Sequence, residues 1–262
     1  MKTHVYLFFL VLVSAISCKK ASVTPPEDLP PLTTSPATGQ SITLNLSHVA
    51  NGSPFALGAT NTYTTANSDT FSVRLFKYYL SNIALLDAAG HAFAVPNSYF
   101  LVDEGDATSK TITLQGLPEG DYRSIRFMIG VDSARNVSGV QSGALDPAHG
   151  MFWTWNSGYI MAKIEGSSPQ SGNALKDIAF HIGGFSGTNK GIRTVTLPFP
   201  TDLHVHAGHV SQVNMEGDVA RWFSGPNTID FSLVYEVTTV NSRSRIIADN
   251  YATMFTVTSI VN

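Results

Sequence analysis

The chain has 262 residues, 43% of them hydrophobic, enough to bury a sizeable core in one domain or at most two. A formal net charge of -3 with only 16 Lys and Arg argues against nucleic acid as a partner, because neutralising phosphates takes clustered cations. Charged residues are scarce at 13% while Ser, Thr, Gly and Asn abound, a composition that fits an exported β-protein better than a helical cytosolic enzyme.

The N-terminus points the same way. Lys2 precedes an apolar run over 5–13, and Ser14, Ala15, Ile16 and Ser17 lead to Cys18, which reads as a signal peptide over 1–17 and not as a spanning helix. Cys18 is the only cysteine, so no intramolecular disulfide or thiolate metal site is available. Its placement after small residues resembles a bacterial lipobox, making it the lipidated first residue of the mature protein; an ordinary signal with an incidental cysteine is the alternative. Residues 18–40 then read as a lipidated cysteine and a proline-rich tether, extended and solvated. The expectation is a body held in the bacterial cell envelope by a lipid anchor alone, facing the periplasm or the exterior.

From 41 to 262 the pattern is that of strands. Residues 41–48 alternate Ile42, Leu44 and Leu46 on one face. Further strands are predicted over 71–77 running into 78–86, and over 98–102, 111–114, 122–130, 159–164, 178–182, 192–197, 209–215, 228–237 and 254–261, separated by turn signals such as Asn51-Gly52 and Pro118-Glu-Gly120. No stretch sustains a helical period, although 219–223 has room for a helical turn or two. Many short strands at this spacing predict an all-β fold, an antiparallel β-sandwich of Greek-key type with long loops.

Enzyme signatures are missing: no nucleophile elbow, no phosphate-cradling glycine loop and no HExxH, so no enzymatic activity is expected. Ligand chemistry is better represented. Trp153 and Trp155, one residue apart in Gly150-Met-Phe-Trp-Thr-Trp-Asn-Ser-Gly-Tyr-Ile160, would share a face in an extended segment, as a block of core or as a platform for a ligand such as a carbohydrate. His204 and His206 have a spacing that recurs in metal sites, with His209 close behind; an exposed polar strand end is the bland alternative. His181, between apolar neighbours and ahead of Gly183-Gly184, reads alone as a satisfied buried side chain, and His48 closes the first strand. Asp132, Ser133 and Asn136 make an oxygen-rich loop with room for calcium, or with side chains that cap a turn.

Taken in order, Phe76-Lys-Tyr-Tyr-Leu-Ser-Asn-Ile83, Ile129-Gly-Val-Asp-Ser-Ala-Arg-Asn136, Leu145-Asp-Pro147, the tryptophan stretch, Lys163-Ile-Glu-Gly166, Phe180-His-Ile-Gly-Gly184 and Ile247-Ala-Asp-Asn-Tyr-Ala-Thr-Met-Phe255 resemble the MbnP family over nearly the whole mature body. The resemblance implies an extracytoplasmic copper-binding protein that works beside a di-haem peroxidase-like partner of the MbnH type. That partner is implied to oxidise a tryptophan to kynurenine. Indole Nε1–H only donates, whereas the aryl amine of kynurenine offers a nitrogen lone pair for copper. Trp153 and Trp155 match the family's tryptophan stretch, His181 its histidine after the aromatic strand, and His48 a position often held by histidine. The expected site is therefore copper held by His48 and His181 with a kynurenine made from Trp153 or Trp155. The segment with His204, His206 and His209 lies outside the family pattern.

Overall fold

The computed structural model describes residues 33–34, 39–153 and 158–262. The signal segment 1–17, Cys18 with its expected lipid, and Trp155 lie outside the described residues. The longer strands, in chain order, are β1 (Gln40–Ala50), β2 (Thr70–Leu86), β3 (Tyr99–Asp103), β4 (Thr111–Leu117), β5 (Gly120–Ile129), β6 (Ile160–Ser167), β7 (Asp177–Gly183), β8 (Arg193–Val205), β9 (Ser211–Asp218) and β10 (Phe255–Val261). With shorter strands they form one sheet of ten and one of five, the expected all-β sandwich.

In the small sheet, β1 buries Ile42, Leu44, Leu46, His48 and Ala50 at every second position, so this face is turned to the core. β4 and β10 pair antiparallel with β1 and β9, but β1 and β9 run parallel, from Ser211 opposite Ile42 to Asp218 opposite Val49. The sheet is mixed, not purely antiparallel. A parallel neighbour requires a long crossover, which the intervening chain supplies.

The large sheet is organised by β2. Tyr78 faces Ala162 of β6 on one side and Val102 of β3 on the other, and Leu80 likewise lies between Ile129 of β5 and Phe100 of β3. β6 and β5 thus follow one another along a single edge of β2. Where they hand over, the register shifts between Ser81 and Ala84, and Asn82 takes a left-handed conformation (φ 51). The row Phe76, Ile164 and Phe180 across β2, β6 and β7 is fully buried and meets the small sheet, while the next row, Lys77, Lys163 and His181, faces outward. A second apolar cluster, with Tyr79, Leu145, Met151, Tyr159 and Met161, gathers residues from the long connection 130–159.

Three expectations are corrected. Residues 228–237 do not form one strand: only Glu236–Val237 is extended, because the Asp230 carboxylate turns the chain by accepting from Ser232 N and Oγ, and Asp69 takes the Phe231 N–H. An unpredicted helix, Ser242–Tyr251, opens with a capping box between Asn241 and Ser244 and buries Ser244, Ile247, Ala248 and Tyr251 at helical spacing. Thr33–Thr34, inside the stretch read as a solvated tether, pairs in parallel with Phe93 and Ala94. The turn predicted over 219–223 is present as a 3-10 turn over Val219–Trp222, and the third tryptophan, Trp222, lies in the core. Among the described residues no helix is long and apolar enough to cross a membrane.

Candidate metal centre

His48 occupies the interior between the sheets. Its ring meets Phe76 and Tyr78 edge-on at centroid distances of 5.2 and 5.6 Å, and its side chain is fully buried. Both nitrogens are engaged: Nδ1 lies 2.5 Å from Glu104 Oε2 and Nε2 lies 2.9 Å from the Tyr78 hydroxyl. An ionised Glu104 only accepts, so Nδ1 donates, and in the neutral ring Nε2 accepts the Tyr78 O–H. Lys110 Nζ donates to the other Glu104 oxygen at 2.9 Å. Burial alone pushes the Glu104 carboxyl up, but the hydrogen bonds from His48 and Lys110 outweigh it and hold the group below the ordinary value of 4.5. A depressed folded-state pKa contributes stability that is present above the ordinary carboxylate pKa and lost as pH falls through the lower folded value. Melting temperature is therefore expected to drop as pH is taken below 4.5, with a visibly shallower drop for Glu104→Gln. Identical slopes would show that Glu104 is not coupled to folding.

His181 stands on the other side of the large sheet. It lies in β7 directly opposite Lys163, in the outward row, whereas His48 packs on Phe76 and Tyr78 of the inward rows. The expected pairing of His48 with His181 on one ion is thus corrected: the two imidazoles lie on opposite faces of one sheet, and His48 has no ring nitrogen to spare.

What the fold does bring to His181 is an outer-face cluster. Its Nε2 is 2.8 Å from Glu165 Oε1, and the same carboxylate is 3.4 Å from Lys163 Nζ and 3.5 Å from Arg74 Nε. Glu165 is held below the usual carboxylate range because these hydrogen bonds and charges overcome its burial. An ionised acceptor on Nε2 makes that nitrogen the donor and leaves Nδ1 with a lone pair. The His181 pKa is itself lowered, chiefly by burial and also by the Lys163 charge, against the pull of Glu165. A neutral imidazole with one nitrogen fixed by a carboxylate is the arrangement that metal-binding histidines share.

Trp153 belongs to this face. A Cβ built on Gly183 would lie 2.5 Å from the Trp153 ring, so the indole rests where any other residue at 183 would put its side chain. Gly183 is two residues from His181, on the same side of β7 and about 7 Å along the strand. The indole is also packed against the second apolar cluster, and the Trp153 backbone N–H donates to Gly158 O at 3.0 Å. Gly158 is itself obligatory: its φ is +67, and a Cβ there would strike Asn136 Oδ1 at 2.3 Å.

Of the two readings of the Asp132 loop, side chains that cap a turn are what the structure shows. Asp132 Oδ1 caps the turn at Arg135 N, its Oδ2 accepts from Asn82 Nδ2 and from the Tyr99 hydroxyl, and the buried Asn136 side chain ties Val131 O and Asp132 O to Tyr159 N. The oxygens are spent on the chain itself. His204, at the end of β8, and His206 both reach Asp121 on β5, with the His209 ring 6.2 Å from that of His206. Sequence reasoning missed Glu165, Glu104 and Asp121. Glu165 alone had a signal, alternating with Lys163 in a strand whose intervening residues are apolar.

The fold and site define a two-sheet β-sandwich with a carboxylate-anchored histidine and an indole sharing the outer face of one sheet. The chain belongs to the MbnP family, whose model matches residues 39–242. Among solved structures it is similar to MbnP from Methylosinus trichosporium, at 16% identity and a TM-score of 0.46, over 78% of this chain and 83% of that one. No curated protein matches it.

Proposed function

We propose that the protein is an extracytoplasmic copper-binding lipoprotein, anchored through Cys18, that captures or hands on copper without turnover of its own. Copper would be held by His181 together with the aryl amine of a kynurenine made from Trp153 or Trp155, and a di-haem peroxidase-like partner of the MbnH type would carry out the oxidation. The observation that carries this reading is the Trp153 ring seated on Gly183, two residues from an imidazole whose other nitrogen is fixed by Glu165. The residues fit the ion in part: His181 offers a nitrogen whose pKa is lowered chiefly by burial, and the second nitrogen ligand would come from the kynurenine amine. A carbohydrate platform is not favoured, since Trp153 is partly buried and packed against apolar neighbours and Gly183.

Intact mass tests the proposal. Chain produced with its oxidising partner is expected to be heavier by roughly 4 Da, as a covalent change confined to one side chain, and to take up copper stoichiometrically. Chain made without the partner should keep its calculated mass and bind copper weakly. Equal copper uptake by oxidised and unoxidised protein would remove kynurenine from the site.

A further inference from the structure

The tip of the sandwich formed by β5 and β8 holds a second cluster, built from a strand pair and not from the tryptophan face. The register sets His204 directly opposite Asp121, while Leu203 and Val205 on either side of His204 are buried. Alternation along β8 therefore turns His204 outward, and His206 follows it on the same side. Nδ1 of His204 lies 2.6 Å from Asp121 Oδ1, and Nε2 of His206 lies 3.2 Å from the same oxygen. Among the described residues this is the one group of three or more His, Cys, Asp or Glu whose ligand atoms all lie within 4.8 Å of one another.

We propose that Asp121, His204 and His206 form a binding site for a divalent transition-metal ion of the Zn(II) and Cu(II) class. Two imidazole nitrogens and one carboxylate oxygen are the borderline donor set such ions select, and hard ions such as Mg(II) or Ca(II) are not matched by it. A tetrahedral ion with ligand bonds of about 2.0–2.1 Å sets its donors about 3.3 Å apart. The contacts of 2.6 and 3.2 Å fall about 0.7 and 0.1 Å short of that spacing, and all three ligand atoms already lie within 4.8 Å of one another, so small side-chain rotations set the donors around an ion. The ring nitrogens that now meet Asp121 are the atoms that would hold the ion; in a neutral imidazole the proton moves to the other nitrogen of the same ring as the metal binds.

The backbone around the ligands is held in place. His204 N–H donates to Asn262 Oδ1 at 2.8 Å, the His204 carbonyl accepts from Ser211 Oγ at 2.6 Å, and Ala207 N–H donates to Glu119 Oε1 at 3.1 Å. His209 N–H closes the turn onto His206 O through Gly208, whose φ is +81. That turn keeps the His209 imidazole beside the site as a candidate fourth ligand. All three ligand side chains are about half exposed, which leaves the fourth position open to water or to His209. The site also stands apart from His181. Asp121 opens β5, and the far end of that strand, some eight residues or roughly 26 Å away, abuts Met161 of β6 through Gly130.

The test is a Zn(II) titration of the full chain at neutral pH, by calorimetry and by competition with a chromophoric chelator. Wild type is expected to hold one equivalent at this site with micromolar or tighter affinity. His204→Ala/His206→Ala should lose at least 100-fold, and Asp121→Asn about 10-fold, against an unchanged thermal melt, since the replaced side chains are half exposed. His181→Ala should retain this equivalent, so loss of zinc here and loss of copper at His181 are separate results. Undiminished zinc binding in the double His variant, or wild-type binding weaker than roughly 100 μM, about 5.5 kcal/mol, would overturn the proposal and leave an exposed polar strand end.

Discussion

His48→Ala is expected to destabilise the protein by about 3 kcal/mol while leaving copper uptake per folded molecule unchanged. The ring is fully buried, packs edge-on against Phe76 and Tyr78, and joins the Tyr78 hydroxyl to the Glu104–Lys110 ion pair. Alanine would leave a cavity there and strip one partner each from a buried phenol and a nearly buried carboxylate. For a chain of this size the loss corresponds to a fall in melting temperature of about 6–12 °C. Chemical denaturation gives the free energy, and copper bound per folded molecule gives the second readout. His48→Gln, which keeps one polar group in the space, should recover part of the stability. A folded His48→Ala protein that no longer binds copper would restore His48 as a ligand and overturn the geometric argument.

The fate of His48 shows which parts of the molecule were legible in its sequence. Alternation along β1 is strict, and the residues that read as core at 42, 44 and 46 are core. Yet the same alternation puts 48 on the inward face, and a polar side chain at the end of an apolar face reads as a free ligand until its partners are known. Those partners, Tyr78 and Glu104, are 30 and 56 residues away, and no local pattern announces them. The helix Ser242–Tyr251 escaped for a different reason. Its first turn is Ser-Arg-Ser-Arg, and its buried side includes Ser244, so polarity hid a helical period that the Asn241 to Ser244 capping box would have exposed. Strand identity was legible because it depends on neighbours two residues apart. The pairing of Asp121 with His204 was not, because it depends on the register between two strands whose partners lie 83 residues apart in the chain.

His181→Ala is expected to behave in the opposite way, lowering copper affinity by at least 10- to 100-fold while changing stability by no more than about 1 kcal/mol. The side chain lies in the outward row and is 19% exposed. Its loss leaves Glu165 still paired with Lys163 and near Arg74, so no buried carboxylate is orphaned. Surface-facing ion pairs of this kind contribute little to folding. Glu165→Gln separates ligand from support: the amide oxygen keeps an acceptor for the His181 N–H, but the charge that orients and polarises the ring is gone, and affinity should fall by about 10-fold. Lys163→Met adds a control, since it removes a cation that lowers the His181 pKa while leaving both ring nitrogens in place. Copper titration of the oxidised protein reads all three variants. If His181→Ala and Glu165→Gln bound copper as wild type does, the outer face of the large sheet would not be the copper site.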